Sequence, residues 1–85
     1  MREIKREIDV CETYICPVTE SNMLCYYERD LATGKKLVEL PLFCLWASDY
    51  EIVQGIKELA TWIKDRDTFI EILSEIIEFL KKRHE

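Results

Sequence analysis

The sequence predicts an α+β fold: a three-stranded antiparallel sheet, made of a β-hairpin and an N-terminal strand, followed by two amphipathic helices packed on one face. Three observations support this expectation: a hairpin pattern within residues 23–46, an apolar run over residues 37–47, and two helical stripes of apolar residues after residue 48. Strands alternate their side chains between two faces, whereas helices repeat theirs every 3.6 residues. A chain of 85 residues fits a single small domain, which we expect to span residues 1–85.

The hairpin is predicted from the turn sequence over residues 30–35. Gly34 supplies the left-handed conformation that a four-residue turn needs. Pairing the two ends of this turn places Tyr27 opposite Val38. On this register one face is apolar along its whole length, and its members are Met23, Cys25, Tyr27, Val38, Leu40, Leu42, Cys44 and Trp46. The opposite face is polar near the turn and apolar at its far end.

The first strand is predicted over residues 8–15, where apolar side chains alternate with polar ones except at Glu12. A helix over residues 2–9 is the alternative, because Ile4 and Ile8 are four positions apart. Residues 1–6 are charged, and we expect them to be frayed or at the edge of the first element. Residues 17–22 have the composition of a turn or loop.

Two helices follow the sheet. Ser48 and Glu51 have the spacing of a capping box, so the first helix begins there and runs to about residue 65. Gly55 falls on the polar side of this helix. The second helix is expected over about residues 68–83, after a cap at Asp65 or Asp67. Its apolar residues cover roughly half of the circumference, so this helix can contact two partners.

We expect the helices to cover the sheet face that carries Tyr27 and Leu40. The predicted core consists of Tyr27, Val38, Leu40, Leu42, Trp46, Ile52, Ile56, Leu59, Ile63, Phe69, Leu73, Ile76 and Leu80.

The four cysteines, Cys11, Cys16, Cys25 and Cys44, can be free, bonded to one another or bound to a metal. On the predicted register Cys25 and Cys44 are about 13 Å apart, whereas the Cα atoms of a disulfide lie within about 7 Å. No Cys-x2-Cys spacing occurs, and the one histidine, His84, lies next to the C-terminus. We therefore expect most of the cysteines to be small buried hydrophobic residues and the protein to bind no zinc.

Composition argues against several function classes. The net charge of −5 disfavours a nucleic-acid surface, which needs a positive footprint. The charged N-terminus lacks the apolar segment of a signal peptide, and no apolar run reaches the roughly 20 residues that cross a bilayer. We therefore expect a cytoplasmic protein without a membrane partner. Gln and Asn occur once each, a composition typical of thermophile proteins. No nucleophile–base set or phosphate loop is visible, so we expect neither catalysis nor a cofactor.

A short chain with a two-sided apolar strand and a wide apolar helix has more apolar surface than one copy can cover. We therefore predict an obligate homodimer that acts as a structural or protein-interaction module, with an unidentified protein partner left open. The predicted dimer interface consists of Leu24, Tyr26, Phe43, Leu45, Ile70, Ile77 and Phe79. A cysteine-centred module, either a metal-binding adaptor or a redox-sensitive regulator, is the alternative.

Overall fold

A computed structural model describes residues 3–16 and 22–82, and the expected loop over residues 17–22 therefore lies almost entirely outside the described residues. Three strands, β1 (Ile4–Ile15), β2 (Asn22–Asp30) and β3 (Lys36–Cys44), form an antiparallel sheet in the order β1-β2-β3. Two helices follow, α1 (Asp49–Trp62) and α2 (Arg66–Lys82). The predicted α+β fold class is confirmed.

The turn between β2 and β3 forms as the sequence predicts. The Asp30 amide donates to the Lys35 carbonyl over 2.9 Å, and Gly34 adopts a φ of 72°, which costs little only for glycine. Arg29 then pairs with Lys36, in agreement with the predicted register.

The register shifts one residue beyond this pair, because Glu28 pairs with Val38 and leaves Leu37 without a partner residue. Tyr27 consequently pairs with Glu39, and the predicted Tyr27–Val38 pair is wrong. A shift of one residue exchanges the two faces of a strand relative to its neighbour. A second shift follows, because Leu24 pairs with Phe43 while the next residue of β2 pairs with Pro41.

The helices therefore cover the opposite face of β2 from the one predicted. Leu24 and Tyr26 are fully buried beneath them, together with Ile8 of β1 and Phe43 of β3. The core also contains Ala47, Ile52, Leu59, Ile63, Ile72 and Ile76, with Leu40, Leu42, Cys44, Leu45, Ile56, Phe69, Leu73, Phe79 and Leu80 packed against it. Three of the predicted core residues are placed differently. Val38 is half-buried and belongs to neither buried cluster. Tyr27 is buried on the other face of the sheet, and Trp46 is 63% exposed in the turn after β3.

The far half of β1 covers this second face. The Glu12 amide donates to the Tyr27 hydroxyl over 3.1 Å, and the Thr13 hydroxyl donates to a Glu39 carboxylate oxygen over 2.5 Å. Glu12 also forms an ion pair with Lys36 of β3. Since β1 and β3 are not neighbours in the sheet, these contacts place residues 12–13 across β2 and above Tyr27.

Two disulfides fix this arrangement. Cys11 is bonded to Cys25, with 5.1 Å between the Cα atoms, and Cys16 is bonded to Cys44, with 5.9 Å. The expectation that most cysteines are free buried thiols is therefore wrong. Cys25 and Cys44 are not bonded to each other, in agreement with the prediction that they lie too far apart. The two bonds that form were not predicted, because they depend on the path of β1 over the sheet.

The helix ends agree with their capping signals. The Glu51 amide donates to the Ser48 hydroxyl over 3.4 Å, which starts α1 at Asp49. Between the two predicted caps for α2 the structure selects Asp65, whose carboxylate accepts from the Thr68 amide over 2.9 Å and from its hydroxyl over 2.6 Å. The first helix packs against β3 and the second against β1. Neither helix among the described residues is long and apolar enough to cross a membrane.

Gly55 does not lie on the polar side of α1, as the sequence suggested, but is buried against β3. A Cβ atom at this position would lie 2.7 Å from Cδ1 of Phe43 and 2.9 Å from the Leu42 carbonyl oxygen. The absence of a side chain therefore allows α1 to approach β3 closely.

Candidate functional site

The seven residues of the predicted dimer interface do not form one surface. Leu24, Tyr26 and Phe43 are buried in the core of the chain itself, so they are not available to a second copy. Their assignment to the interface was wrong because the register shift turns these residues toward the helices. Leu45 and Phe79 are half-buried and pack against the same core. Ile70 and Ile77 are each 49% exposed.

An apolar surface runs along α2, and we call its residues Phe69, Ile70, Leu73, Ile77 and Leu80 the α2 surface. Ile72 and Ile76 form the buried side of this helix. The apolar stripe continues from these two residues through half-buried positions to Ile70 and Ile77, which are seven residues apart and therefore lie on the same side of the helix. The wide apolar stripe predicted from the sequence is thus divided between the core and the exterior.

A groove with a volume of about 340 Å³ lies between α1 and the outer side of β3, and we call it the β3–α1 groove. Its lining is mainly apolar on the strand side and mixed on the helix side. The lining residues are Met23, Pro41, Leu42, Phe43, Cys44, Tyr50, Glu51, Gln54, Gly55 and Glu58. This volume is within the range of small ligand sites, at about 300–1,000 Å³.

Sequence reasoning did not identify this groove. In the sequence, Gly55 is the feature that could have indicated the groove, because a glycine within a helix often marks a place where another element packs closely. The close approach of α1 to β3 at Gly55 brings Gln54 and Glu58 beside the strand, and this proximity could not be inferred without knowing which face the helices cover.

A hydrogen-bonded polar cluster surrounds Tyr27 on the second face. The Tyr27 hydroxyl donates to Glu39 over 2.7 Å, and the Lys36 ammonium lies 4.1 Å from the centre of the Tyr27 ring. Burial, followed by the hydrogen bond to Glu39, raises the pKa of Tyr27 to about 12. Hydrogen bonds from Thr13 and Tyr27 lower the pKa of Glu39.

A similar pair lies on the helix-covered face, where the Tyr26 hydroxyl donates to Glu28 over 2.6 Å and burial raises the pKa of Tyr26. Both tyrosines are thus held protonated and Glu39 ionised at neutral pH. General acid–base catalysis favours a group whose pKa lies near the working pH, and these shifts move the groups away from it. The clusters are therefore suited to holding strands together rather than to proton transfer.

The two disulfides differ in access. Cys25 is completely buried and Cys11 nearly so, beneath the far half of β1. Cys16 is also buried, but its partner Cys44 is half-buried and lines the β3–α1 groove. A thiolate attacks a disulfide at an accessible sulfur. The Cys16–Cys44 bond is therefore more accessible to a thiolate than the Cys11–Cys25 bond.

Metal coordination by the cysteines would require thiolates, and all four sulfurs are used in the disulfides. Within residues 3–16 and 22–82, no three His, Cys, Asp or Glu side chains come together in a metal-binding arrangement.

Comparisons with known proteins returned no matching family model, no matching curated protein and no matching solved structure.

Proposed function

We propose that the protein is a non-catalytic homodimer that acts as a structural or protein-interaction module, and that the two copies meet at the α2 surface. The observation that carries the proposal is the half-exposure of Ile70 and Ile77 within one continuous apolar surface. Contiguous exposed apolar surface is characteristic of sites of protein association.

A two-fold antiparallel arrangement of α2 suits this surface. With the axis near Leu73 and Ser74, Ile70 of each copy lies opposite Ile77 of the partner subunit. Ser74 is small, and its hydroxyl donates to the Ile70 carbonyl within its own helix over 3.0 Å, so it leaves no unpaired donor in such a contact. An interface of this kind is self-complementary and closes at two copies.

Sedimentation velocity at micromolar concentration tests the proposal. We expect a species of about twice the 10.2 kDa chain mass. The double variant Ile70→Lys/Ile77→Lys should sediment as a monomer with an unchanged circular dichroism spectrum, because it places four like charges in the contact. The matched control is Trp46→Lys/Val53→Lys, which changes two comparably exposed apolar residues away from α2 and should remain dimeric. A folded wild-type monomer would contradict the proposal.

We propose the cytoplasm of a thermophilic cell as the compartment. The low content of Gln and Asn supports a thermophilic source. Two disulfides are unusual for a cytoplasmic protein in general, but intracellular disulfides are frequent in hyperthermophiles.

A redox-sensitive regulator is the second candidate, and the position of Cys44 in the groove favours it. A dithiol reductant would attack the Cys16–Cys44 bond, form a mixed disulfide and leave as its own disulfide, transferring two electrons and two protons to give two thiols. The end of β1 would then lose its covalent link to β3, while the Cys11–Cys25 bond would still hold β1 to β2.

Timed reduction distinguishes the two bonds. We expect dithiothreitol, followed by alkylation and peptide mass mapping, to label Cys16 and Cys44 before Cys11 and Cys25 in the folded protein. In denaturant both pairs should react together, which controls for intrinsic reactivity. Simultaneous labelling in the folded state would remove this candidate.

A further inference from the structure

The β3–α1 groove combines an apolar strand side with an accessible outer edge of the sheet. Among the described strands β3 is at the edge, because the sheet order is β1-β2-β3. Most of its residues are half-buried, whereas Leu24 to Tyr27 of the central strand are buried. Pro41 and Leu42 therefore line a volume of about 340 Å³, and no strand lies beyond them within residues 3–16 and 22–82.

The helix side of the groove is acidic. Glu51, Gln54 and Glu58 line it at spacings of three and four residues, so they follow one another along the same side of α1. Glu51 and Glu58 are both exposed, and no ion pair joins either carboxylate to a side chain within residues 3–16 and 22–82. Seven residues of helix separate the two carboxylates by about 10.5 Å along the axis. The groove therefore presents two unneutralised negative charges beside an apolar floor.

The shape of β3 argues against a ligand that binds as a fourth strand. Pro41 has no amide hydrogen, and the register shift around Leu42 interrupts the regular edge. A polyproline-II segment needs no such ladder and is recognised by grooves with aromatic walls. Tyr50, which is 73% exposed and lines the groove, provides an aromatic wall.

The repeat of a polyproline-II helix also fits the spacing of the two carboxylates. Three residues make one turn and advance about 9 Å, so side chains three positions apart lie on the same side. Two basic residues at this spacing would reach carboxylates about 10.5 Å apart, because lysine and arginine side chains are long and flexible.

We propose that the β3–α1 groove is a docking site for a proline-rich segment of another protein that carries two basic residues three positions apart. Apolar proline rings would contact Pro41, Leu42 and Tyr50, and the basic side chains would pair with Glu51 and Glu58. This inference goes beyond the proposed dimer, because none of these residues belongs to the α2 surface.

Isothermal titration with synthetic peptides tests the proposal on the full chain. The probe is acetyl-Pro-Lys-Pro-Pro-Lys-Pro-amide. One control peptide replaces both lysines with glutamate, and a second places the two lysines next to each other. We expect the probe to bind at least tenfold more tightly than either control, and its affinity to fall as sodium chloride is raised from about 50 to 500 mM.

Two charge-reversal variants test the location. Glu51→Lys/Glu58→Lys should weaken binding of the probe at least tenfold. The matched control is Glu71→Lys/Glu78→Lys, which reverses two exposed carboxylates at the same seven-residue spacing on α2 and should leave the affinity within about twofold. Circular dichroism of each variant verifies that it is folded. Amide resonances of residues 42–44 and 50–58 should shift on titration in wild-type protein.

Several results would overturn the docking site. These are no binding of the probe at millimolar concentration, equal loss of affinity in both charge variants, or resonance shifts confined to other residues. The Ile70→Lys/Ile77→Lys variant should bind the probe as the wild type does, so a failed dimer proposal and a failed docking proposal give different results.

Discussion

Gly55 is the residue on which the contact between α1 and β3 depends. Helix propensity alone favours Gly55→Ala by about 1 kcal/mol. The new methyl group, however, would meet the Leu42 carbonyl at 2.9 Å, and a backbone atom in a sheet cannot easily move away. Overpacking of this kind costs about 1–3 kcal/mol, so the steric effect should exceed the gain.

We therefore expect Gly55→Ala to lower the free energy of unfolding by about 1 kcal/mol in urea denaturation. Gln54→Ala, at the neighbouring exposed position, is the control and should change stability by less than about 0.5 kcal/mol. A higher urea midpoint for Gly55→Ala than for wild type would show that α1 is not held against β3 at this point.

Predictions for single residues were correct where the structure depends on neighbours in the sequence, and wrong where it depends on how far a strand extends. The turn at Gly34 and the cap at Ser48 depend on neighbours within four residues, and both formed as predicted. Extending the strand alternation past residue 44 predicts that Trp46 is in the core, but β3 ends at Cys44 and the tryptophan is exposed. Alternation alone does not show where a strand ends.

The start of α2 offers a second test, at the level of a structural element. The sequence allowed either Asp65 or Asp67 as the cap, and the two Thr68 hydrogen bonds select Asp65. These bonds lower the pKa of the Asp65 carboxyl. Asp67 lies in the first turn of the helix, where its charge interacts favourably with the helix dipole.

We expect Asp65→Ala to lower the urea midpoint at pH 7 more than Asp67→Ala does. Because the folded-state pKa of Asp65 is lowered, its contribution is present above its unfolded-state pKa of about 3.9 and disappears as the pH falls through the folded-state value. The difference between Asp65→Ala and wild type should therefore shrink in acid. A larger effect for Asp67→Ala, or a difference that persists at pH 2, would contradict this capping assignment.

The sheet shows which features of a structural element can be predicted from the sequence and which cannot. The number of strands, their antiparallel order and the two following helices were all predicted, because each depends on periodicity within one segment. The buried face was not, because Leu37 has no sequence feature that marks it as the extra residue at a register shift. The error at this position reversed the faces for most of the hairpin, and Cys25 consequently lies with Tyr27 on the face away from the helices.

At the scale of the whole molecule, the two disulfides change the reason for expecting a second subunit. The expectation of a dimer began from the small core of an 85-residue chain, for which disulfides, a metal or a second subunit can compensate. Two disulfides are present, and loops of this size contribute about 3 kcal/mol each in the chain-entropy model. The dimer proposal therefore depends on exposed apolar surface rather than on insufficient stability.

That exposed surface is distributed over several elements. The large apolar side chains at least 40% exposed among the described residues are Tyr14, Ile15, Leu31, Leu37, Trp46, Tyr50, Val53, Trp62, Ile70 and Ile77. Isolated exposed apolar residues are normal on protein surfaces. Ile70 and Ile77 differ from the others because half-buried Phe69, Leu73 and Leu80 connect them into one area.

The positions of the four bonded cysteines along the chain mean that disulfides constrain the sheet but not the helices. The first cysteine is joined to the third and the second to the fourth, so two covalent rings overlap within residues 11–44. Both helices lie outside these rings and are held by noncovalent contacts alone. Unfolding of α1 and α2 by heat or denaturant therefore breaks no disulfide, and the unfolded oxidised chain keeps the cysteine pairing of the folded protein.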